Sequence, residues 1–465
     1  MKYKAWGKAK AVLIPHKKHH VTLGVLFFLV AFIAVVALVI RLGLLYSDTS
    51  YSGEREPYIQ SLGSSSVIIR WQSEALVRAR VELYKKNAEI LFTEQESRAK
   101  EVHEISIKNL EPATRYYYRL YHNQNLYKEG DDYWFETAPL VESDIPVRIW
   151  LLGDPGRSGN AIMSVKNAMQ TWIGNNPRPG YADLNMIIST GDNAYDYGTN
   201  EEYQSNLFSV HSDMFKNYVF WPVYGNRDAM GWSFFNLFSL PTEAELGGVA
   251  SGTERYYSMD YGQLHLIFLD SNEGAYTAND EMITWLKKDL KATSQKWVIA
   301  FMHHPPYTRG NHNSNDPKDS SNRMFNMRKR VIPVLEAAGV DMVVSGHSHS
   351  YERSFLIDCH YGLTSDFKTS SKLQSGPEFV KPVNRTSHSG AIYTVLGSSA
   401  EAVDGKLDHP AMAVSEAALG SMIIDVESNR LTGRFINKNA EVTDKFVIKK
   451  ENMNHSSTVE NRVCR

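Results

Sequence analysis

The chain has 465 residues, enough for two to four domains of ordinary size. Its 50 Lys and Arg balance 52 Asp and Glu to a net charge of −2, so there is no basic excess to neutralise phosphates and no dedicated nucleic-acid binding is expected. Apolar residues at 43% and charged residues at 22% exclude a disordered or collagen-like chain, and two cysteines are too few for a disulfide framework or a thiolate zinc site.

Residues 1–20 carry Lys2, Lys4, Lys8, Lys10, Lys17 and Lys18 and no acid. From Val21 to Ile40 the only polar side chain is Thr22, and a helix of that length spans about 30 Å, the thickness of a bilayer's hydrocarbon. The lysines on one side, against Arg41, Asp48, Glu54, Arg55 and Glu56 on the other, predict a cytoplasmic tail (1–20) and a transmembrane signal anchor in the lipid bilayer (21–45). The remainder is then extracellular, periplasmic or luminal. A cleaved signal peptide, giving a secreted protein, is the rival reading, although the apolar run is longer than the usual 7–15 residues of such peptides and no small-residue cleavage pattern follows it. An exported body lets Cys359 and Cys464 pair, or leaves Cys464 free in a polar tail (451–465), and makes Asn384 and Asn454 candidate glycosylation sequons.

Residues 57–138 read as short β-strands between polar turns: Val67–Trp71, Ala79–Tyr84, His103–Ile107 and Arg115–Tyr121 are rich in β-branched and aromatic residues. The run Leu110-Glu111-Pro112-Ala113-Thr114-Arg115-Tyr116 resembles the fibronectin type III turn, with Tyr116 as its tyrosine corner, which implies an all-β sandwich serving as a spacer or packing domain.

From residue 146 to 450 the texture changes to apolar runs that stop at polar clusters. Val147–Leu152 leads to Gly153-Asp154-Pro155-Gly156, and Leu184–Thr190 to Gly191-Asp192-Asn193-Ala194-Tyr195. Val219–Tyr224 leads to Gly225-Asn226-Arg227-Asp228, Trp297–Met302 to His303-His304, and Val340–Ser345 to Gly346-His347-Ser348-His349. Near-continuous apolar runs suit strands buried on both faces, with helices expected over 280–290 and 321–338. In α/β sheets of this kind, ligands bind beyond the carboxyl ends of the strands, where these five clusters would meet.

The ordered set GDPG, GDNAY, GN, His303 and GHSH, followed by Tyr351-Glu352-Arg353-Ser354, resembles the purple acid phosphatases of the calcineurin-like metallophosphoesterases, whose plant-type members also carry a fibronectin-like N-terminal domain. The resemblance implies a four-layer α/β/β/α sandwich with two metal ions. Asp154, Asp192, Tyr195 and His349 would hold the first, and Asp192, Asn226, His303 and His347 the second, with Asp192 bridging. A tyrosine ligand has an ordinary pKa near 10 and calls for a strongly charged cation, which favours Fe(III) at the Tyr195 site and a divalent Zn, Fe or Mn ion at the other.

The expected activity is a binuclear acid phosphatase that hydrolyses phosphate monoesters through a metal-bound hydroxide outside the cytoplasm. His312, nine residues beyond His303, matches a substrate-pocket histidine of the family, whereas Asn313 and Arg227 stand where the family has histidines. Arginine does not give up its proton but clamps phosphate, so Arg227 is expected to bind substrate and His312 to supply the proton, with His304 in reserve. Asp228 is expected to orient neighbouring groups and Asp270 to be structural. The alternatives are a phosphodiesterase or nucleotide pyrophosphatase on the same scaffold, or a degenerate adhesion or binding protein. The partner expected in each enzymatic case is a phosphoester substrate, and a homodimer is left open.

Overall fold

A computed structural model describes residues 27–39, 50–86, 89–272, 280–452 and 464. Of the expected membrane segment only 27–39 is described, as a helix with every side chain exposed; the rest of 1–45 and most of the 451–465 tail lie outside the described residues. Among the described residues no helix is long and apolar enough to cross a membrane.

The first region is β-rich. Strands Arg55–Gln60, Ser66–Val77 and Lys100–Lys108 form one antiparallel sheet. Ala79–Tyr84, Ile90–Gln95, Arg115–His122, Asn125–Lys128 and Trp134–Glu136 form the other. Alternate residues point inward, as the period of a half-buried strand requires, so that Val67, Ile69, Trp71, Ile105 and Ile107 share a core with Val81, Leu83, Tyr118 and Leu120. The Tyr116 hydroxyl accepts a hydrogen bond from the Glu111 N–H at 2.9 Å, closing the turn between them. The region is packed onto the one that follows: the Tyr58 hydroxyl donates to the Leu237 carbonyl at 2.7 Å, and the Arg55 guanidinium reaches Asn200 at 2.5 Å and Gln204 at 2.8 Å.

The larger region holds two seven-stranded sheets. In the first, the order is Val219–Pro222, Met186–Ser189, Val147–Leu152, Gly420–Glu427, Arg430–Asn437, Val442–Glu451 and Glu378–Pro382. In the second it is Tyr257–Tyr261, Leu264–Leu269, Trp297–Met302, Met342–Ser345, Ile392–Leu396, Tyr351–Ser354 and Met412–Glu416. Alternation again sorts the faces. Trp297, Ile299 and Phe301 join a core shared with the first sheet, whereas Val298, Ala300 and Met302 pack with Leu286, Leu290 and Leu335 from the helices Glu281–Ala292 and Ile332–Ala337. Helix Asn160–Asn175 packs on strands of the first sheet, completing a metallophosphoesterase-type α/β sandwich.

Both sheets run parallel where it matters. Val147–Leu152, Met186–Ser189 and Val219–Pro222 are parallel neighbours, as are Leu264–Leu269, Trp297–Met302, Met342–Ser345 and Ile392–Leu396. Their carboxyl ends therefore lie along one edge of each sheet, and all five clusters begin there.

Buried polar residues interrupt the apolar strands, and His265 is one of them. His265 is fully buried between Asp260 and Asp289, with ring nitrogens 2.7 Å and 2.8 Å from their carboxylates. Burial alone would lower its pKa, but the two carboxylates overcome that and push it up to about 9. His211 and His409 have no such partners, and burial pushes each down to about 3. Against an unfolded value near 6.5, His265 stabilises the fold fully below that pH and loses its contribution as pH rises through about 9. His211 and His409 act oppositely, their contribution being full above about 6.5 and lost as pH falls toward 3. Thermal unfolding across pH should therefore give a melting temperature highest near neutrality, and His265→Gln should flatten the alkaline arm alone. An unchanged alkaline arm in that variant would refute the assignment.

Candidate metal centre

Each strand end turns sharply into the space between the sheets. Asp154, Asp192 and His347 have φ of 49°, 52° and 66°, in the left-handed region that non-glycine residues rarely adopt, which aims their side chains at a common point. The preceding glycines are required by close approach. A Cβ at Gly225 would collide with the Asp192 backbone, and one at Gly346 with the Asp154 carboxylate and Thr190.

The seven expected ligands converge in two groups. In one, the Tyr195 hydroxyl lies 3.3 Å from Asp154 Oδ2 and 3.2 Å from His349 Nε2, and His349 Nε2 lies 3.4 Å from Asp154 Oδ2. In the other, His303 Nε2 lies 2.9 Å from Asn226 Oδ1, 3.3 Å from Asp192 Oδ1 and 3.2 Å from His347 Nδ1. Asp192 is electrostatically coupled to both, since its charge also acts on the Tyr195 phenol. Asp154, Asp192 and His303 are buried with their donor atoms within 4.8 Å of one another.

The donor chemistry fits cations. His303 Nδ1 is 2.9 Å from the Thr190 carbonyl, a pure acceptor, so Nδ1 is engaged as a donor and Nε2, facing the oxygens of Asn226 and Asp192, is the nitrogen placed to meet a cation. The Tyr195 phenol is pushed well above its ordinary pKa by burial and then by Asp192 and Asp154, so ionising it requires strong positive charge at this spot. Oxygen and imidazole donors suit hard and borderline first-row ions.

The flanking residues divide between substrate side and support. Arg227 donates its backbone N–H to Asp192 Oδ1 at 2.8 Å, and its guanidinium lies 5.3 Å from the Tyr195 ring. Arg157, which the sequence reading passed over, lies 4.3 Å from the same ring and pairs with Asp196 at 3.0 Å. His312 stacks on His347, with ring centroids 4.1 Å apart. Its Nδ1 is 2.8 Å from Asp319, and against the penalty of burial the hydrogen bonds of His312, the Asn313 N–H and Ser320 hold that carboxyl below its usual range.

His304 is fully buried, with its Nδ1 2.8 Å from the Ser271 hydroxyl and its ring centroid 4.4 Å from that of His347. Burial, followed by the neighbouring His303, pushes its pKa below the ordinary value. These contacts suit it to support the neighbouring histidines. Asp228 accepts from the Gly225 N–H at 2.8 Å and the Asn193 side chain at 2.9 Å, tying two ligand loops together. Asp270 pairs with Arg255 at 2.5 Å.

Residues 147–351, the span holding all seven converging side chains, match the family model described as Calcineurin-like phosphoesterase. Residues 147–351 thus resemble a calcineurin-like phosphoesterase, and the chain is similar to purple acid phosphatases. Purple acid phosphatase 23 of Arabidopsis thaliana is 27% identical over 289 residues, covering 54% of this chain and 57% of that protein. Purple acid phosphatase 1 of Ipomoea batatas is 26% identical over 353 residues, 72% of this chain and 67% of that one. The matched parts thus span between about half and two thirds of these relatives. A purple acid phosphatase from yellow lupin seeds shares the fold, with a TM-score of 0.67 at 15% identity over 86% of this chain and 75% of that one.

Several residues supporting the candidate metal site carried no sequence signal. Ser320 contacts His347 Nε2 at 2.6 Å, Glu401 lies 3.4 Å from His349 Nδ1, and Asn311 accepts the His349 N–H at 2.7 Å. All three sit on connecting segments without a motif. Thr190 is the exception, because it closes a strand immediately before Gly191-Asp192.

Proposed function

We propose that the chain is a binuclear-metal phosphatase acting on phosphate monoesters at acidic pH. The observation that carries this reading is the pair of donor groups sharing Asp192, one with a tyrosine and the other with an asparagine and two histidines. Asp154, Asp192, Tyr195 and His349 would hold Fe(III), and Asp192, Asn226, His303 and His347 a divalent Zn, Fe or Mn ion. Two such cations would neutralise the phosphoryl oxygens and acidify a coordinated water. The chain's own residues do the rest. Arg227 binds the substrate phosphate through its guanidinium, and His312, oriented by Asp319, returns a proton to the leaving oxygen.

The β-rich region reads as a fibronectin type III-like sandwich over 57–138, supported by the Tyr116–Glu111 bond, and 146–450 as the catalytic domain. An anchor at 21–45 placing both outside the cytoplasm is supported by the lysine asymmetry and by the exposed apolar helix at 27–39.

The test joins colour to turnover. Purified full-length protein should absorb visible light and hydrolyse a chromogenic phosphate monoester at least tenfold faster than the matching diester. Tyr195→Phe should abolish the colour while leaving the chain folded. Colourless, metal-free protein would refute the assignment, and a preference for the diester would favour the phosphodiesterase reading.

A further inference from the structure

A second cluster of metal-ligating side chains lies outside the phosphoesterase site. Asp358, Cys359, His388 and Cys464 bring one donor atom each within 4.8 Å of one another. The two cysteines are joined as a disulfide across a sequence separation of 105. His388 Nδ1 is 3.3 Å from Cys464 Sγ, 3.9 Å from Cys359 Sγ and 3.0 Å from Asp358 Oδ1, and Cys359 Sγ is 3.1 Å from Asp358 Oδ2.

These are close to the edges of a tetrahedron. Two thiolates, an imidazole and a carboxylate at ordinary zinc distances have ligand–ligand separations of about 3.3–3.8 Å. Of the separations above, none departs far from that range, and only the sulfur–sulfur bond has to open. Two cysteines alone are too few for a thiolate zinc site; His388 and Asp358 complete the number.

The scaffold would keep its shape with the disulfide open, because the ligand loops are tied to one residue. Glu336 accepts the Cys359 N–H at 2.9 Å and the Tyr361 and Tyr393 hydroxyls at 2.6 Å each, and its backbone carbonyl accepts the His388 N–H at 2.9 Å. Tyr361 also contacts Cys464 Sγ at 3.3 Å. Asp358 is fully buried, so its carboxylate oxygens face the cluster rather than solvent. Partners that fix ligand orientation from outside are a recurring property of metal sites.

We propose that Asp358, Cys359, His388 and Cys464 form a redox-gated site that binds a borderline-soft divalent cation of the zinc class when the disulfide is reduced. A dithiol reductant delivers two electrons and two protons, leaving as its own disulfide and giving two thiols. Binding of the cation then releases both protons and forms two metal–thiolate bonds. The disulfide and the metal complex exclude each other, and either one fastens Cys464 to the Asp358–Cys359 loop.

Cadmium is the probe, because only a thiolate site gives sulfur-to-metal absorption in the near ultraviolet and the phosphoesterase centre has no sulfur. The full chain is reduced with a trialkylphosphine, which does not compete for metal as a dithiol would, and titrated with cadmium alone. The expected result is absorption with the amplitude of two thiolates per chain, absent from the unreduced protein and displaced by zinc. His388→Ala and Asp358→Asn, which leave both cysteines in place, should each weaken binding at least tenfold. Absence of the absorption would overturn the proposal. So would unchanged affinity in both variants, which would mean that the thiols act alone. A reduced chain that unfolds, by circular dichroism, and is not refolded by cadmium would overturn it as well.

Discussion

Asp192→Ala is expected to abolish turnover of phosphate monoesters, lowering kcat by about 10³-fold or more, roughly 4 kcal/mol of barrier, while the chain remains folded. Asp192 is the expected bridging ligand: its Oδ1 lies 3.3 Å from His303 Nε2, and its charge acts on the Tyr195 phenol. It also accepts the Arg227 N–H at 2.8 Å, so the same carboxylate fixes the loop that presents the guanidinium. Alanine removes the shared oxygens and leaves the remaining lone pairs without a common cation. Metal analysis should show at least one ion lost per chain, together with the colour. Retention of both metals, or turnover within tenfold of the parent, would mean that Asp192 does not bridge. An unchanged melting temperature in the metal-free state would separate loss of the site from loss of the fold.

Arg227→Met should act on binding rather than on proton transfer. A charged hydrogen bond to phosphate is worth about 1.5–3 kcal/mol, so KM for a monoester and the inhibition constant of inorganic phosphate should rise about 10–100-fold. The guanidinium suits this role, because its side-chain contacts among the described residues are a weak 3.3 Å bond to the Asp196 carbonyl and the face of Tyr195, with no carboxylate fixed to it there. Arg227→His carries the decisive comparison. Under the clamp reading it loses affinity without a sharp gain in kcat; a large gain would show that the arginine merely replaces a missing acid.

The reactive half of the site was legible because its chemistry lies at strand ends. Gly153-Asp154, Gly191-Asp192, Gly225-Asn226 and Gly346-His347 each join a backbone position that tolerates close approach to a side chain that binds, and the strands before them are apolar on both faces. The supporting half was not legible. Asp319 and Ser320 reach His312 and His347 only because residues 320–322 all have positive φ, at 51°, 54° and 65°, and nothing in Ser-Ser-Asn announces such a run. His304 follows His303 in the chain, but the packing of its ring 4.4 Å from that of His347 is visible only in three dimensions. The Cys359–Cys464 pair was an open alternative in the sequence, and its neighbours His388 and Asp358 became visible only in three dimensions.

The order of the first sheet bears on how the protein is made. Val147–Leu152, which delivers Asp154, is hydrogen-bonded on one side to Met186–Ser189 and on the other to Gly420–Glu427. More than 250 residues of the larger region separate Val147–Leu152 from its antiparallel partner Gly420–Glu427 in the chain. During synthesis the strand is therefore an open edge until residues near 427 have left the ribosome, and the most apolar part of the sheet waits longest for its cover. Such long-range pairing is expected to slow folding, because Gly420–Glu427, which covers this edge, and the strands Arg430–Asn437 and Val442–Glu451 that extend the sheet beyond it are made near the end of the chain. A premature stop upstream of them would leave most of the proposed ligands synthesised but the sheet that aims them unfinished.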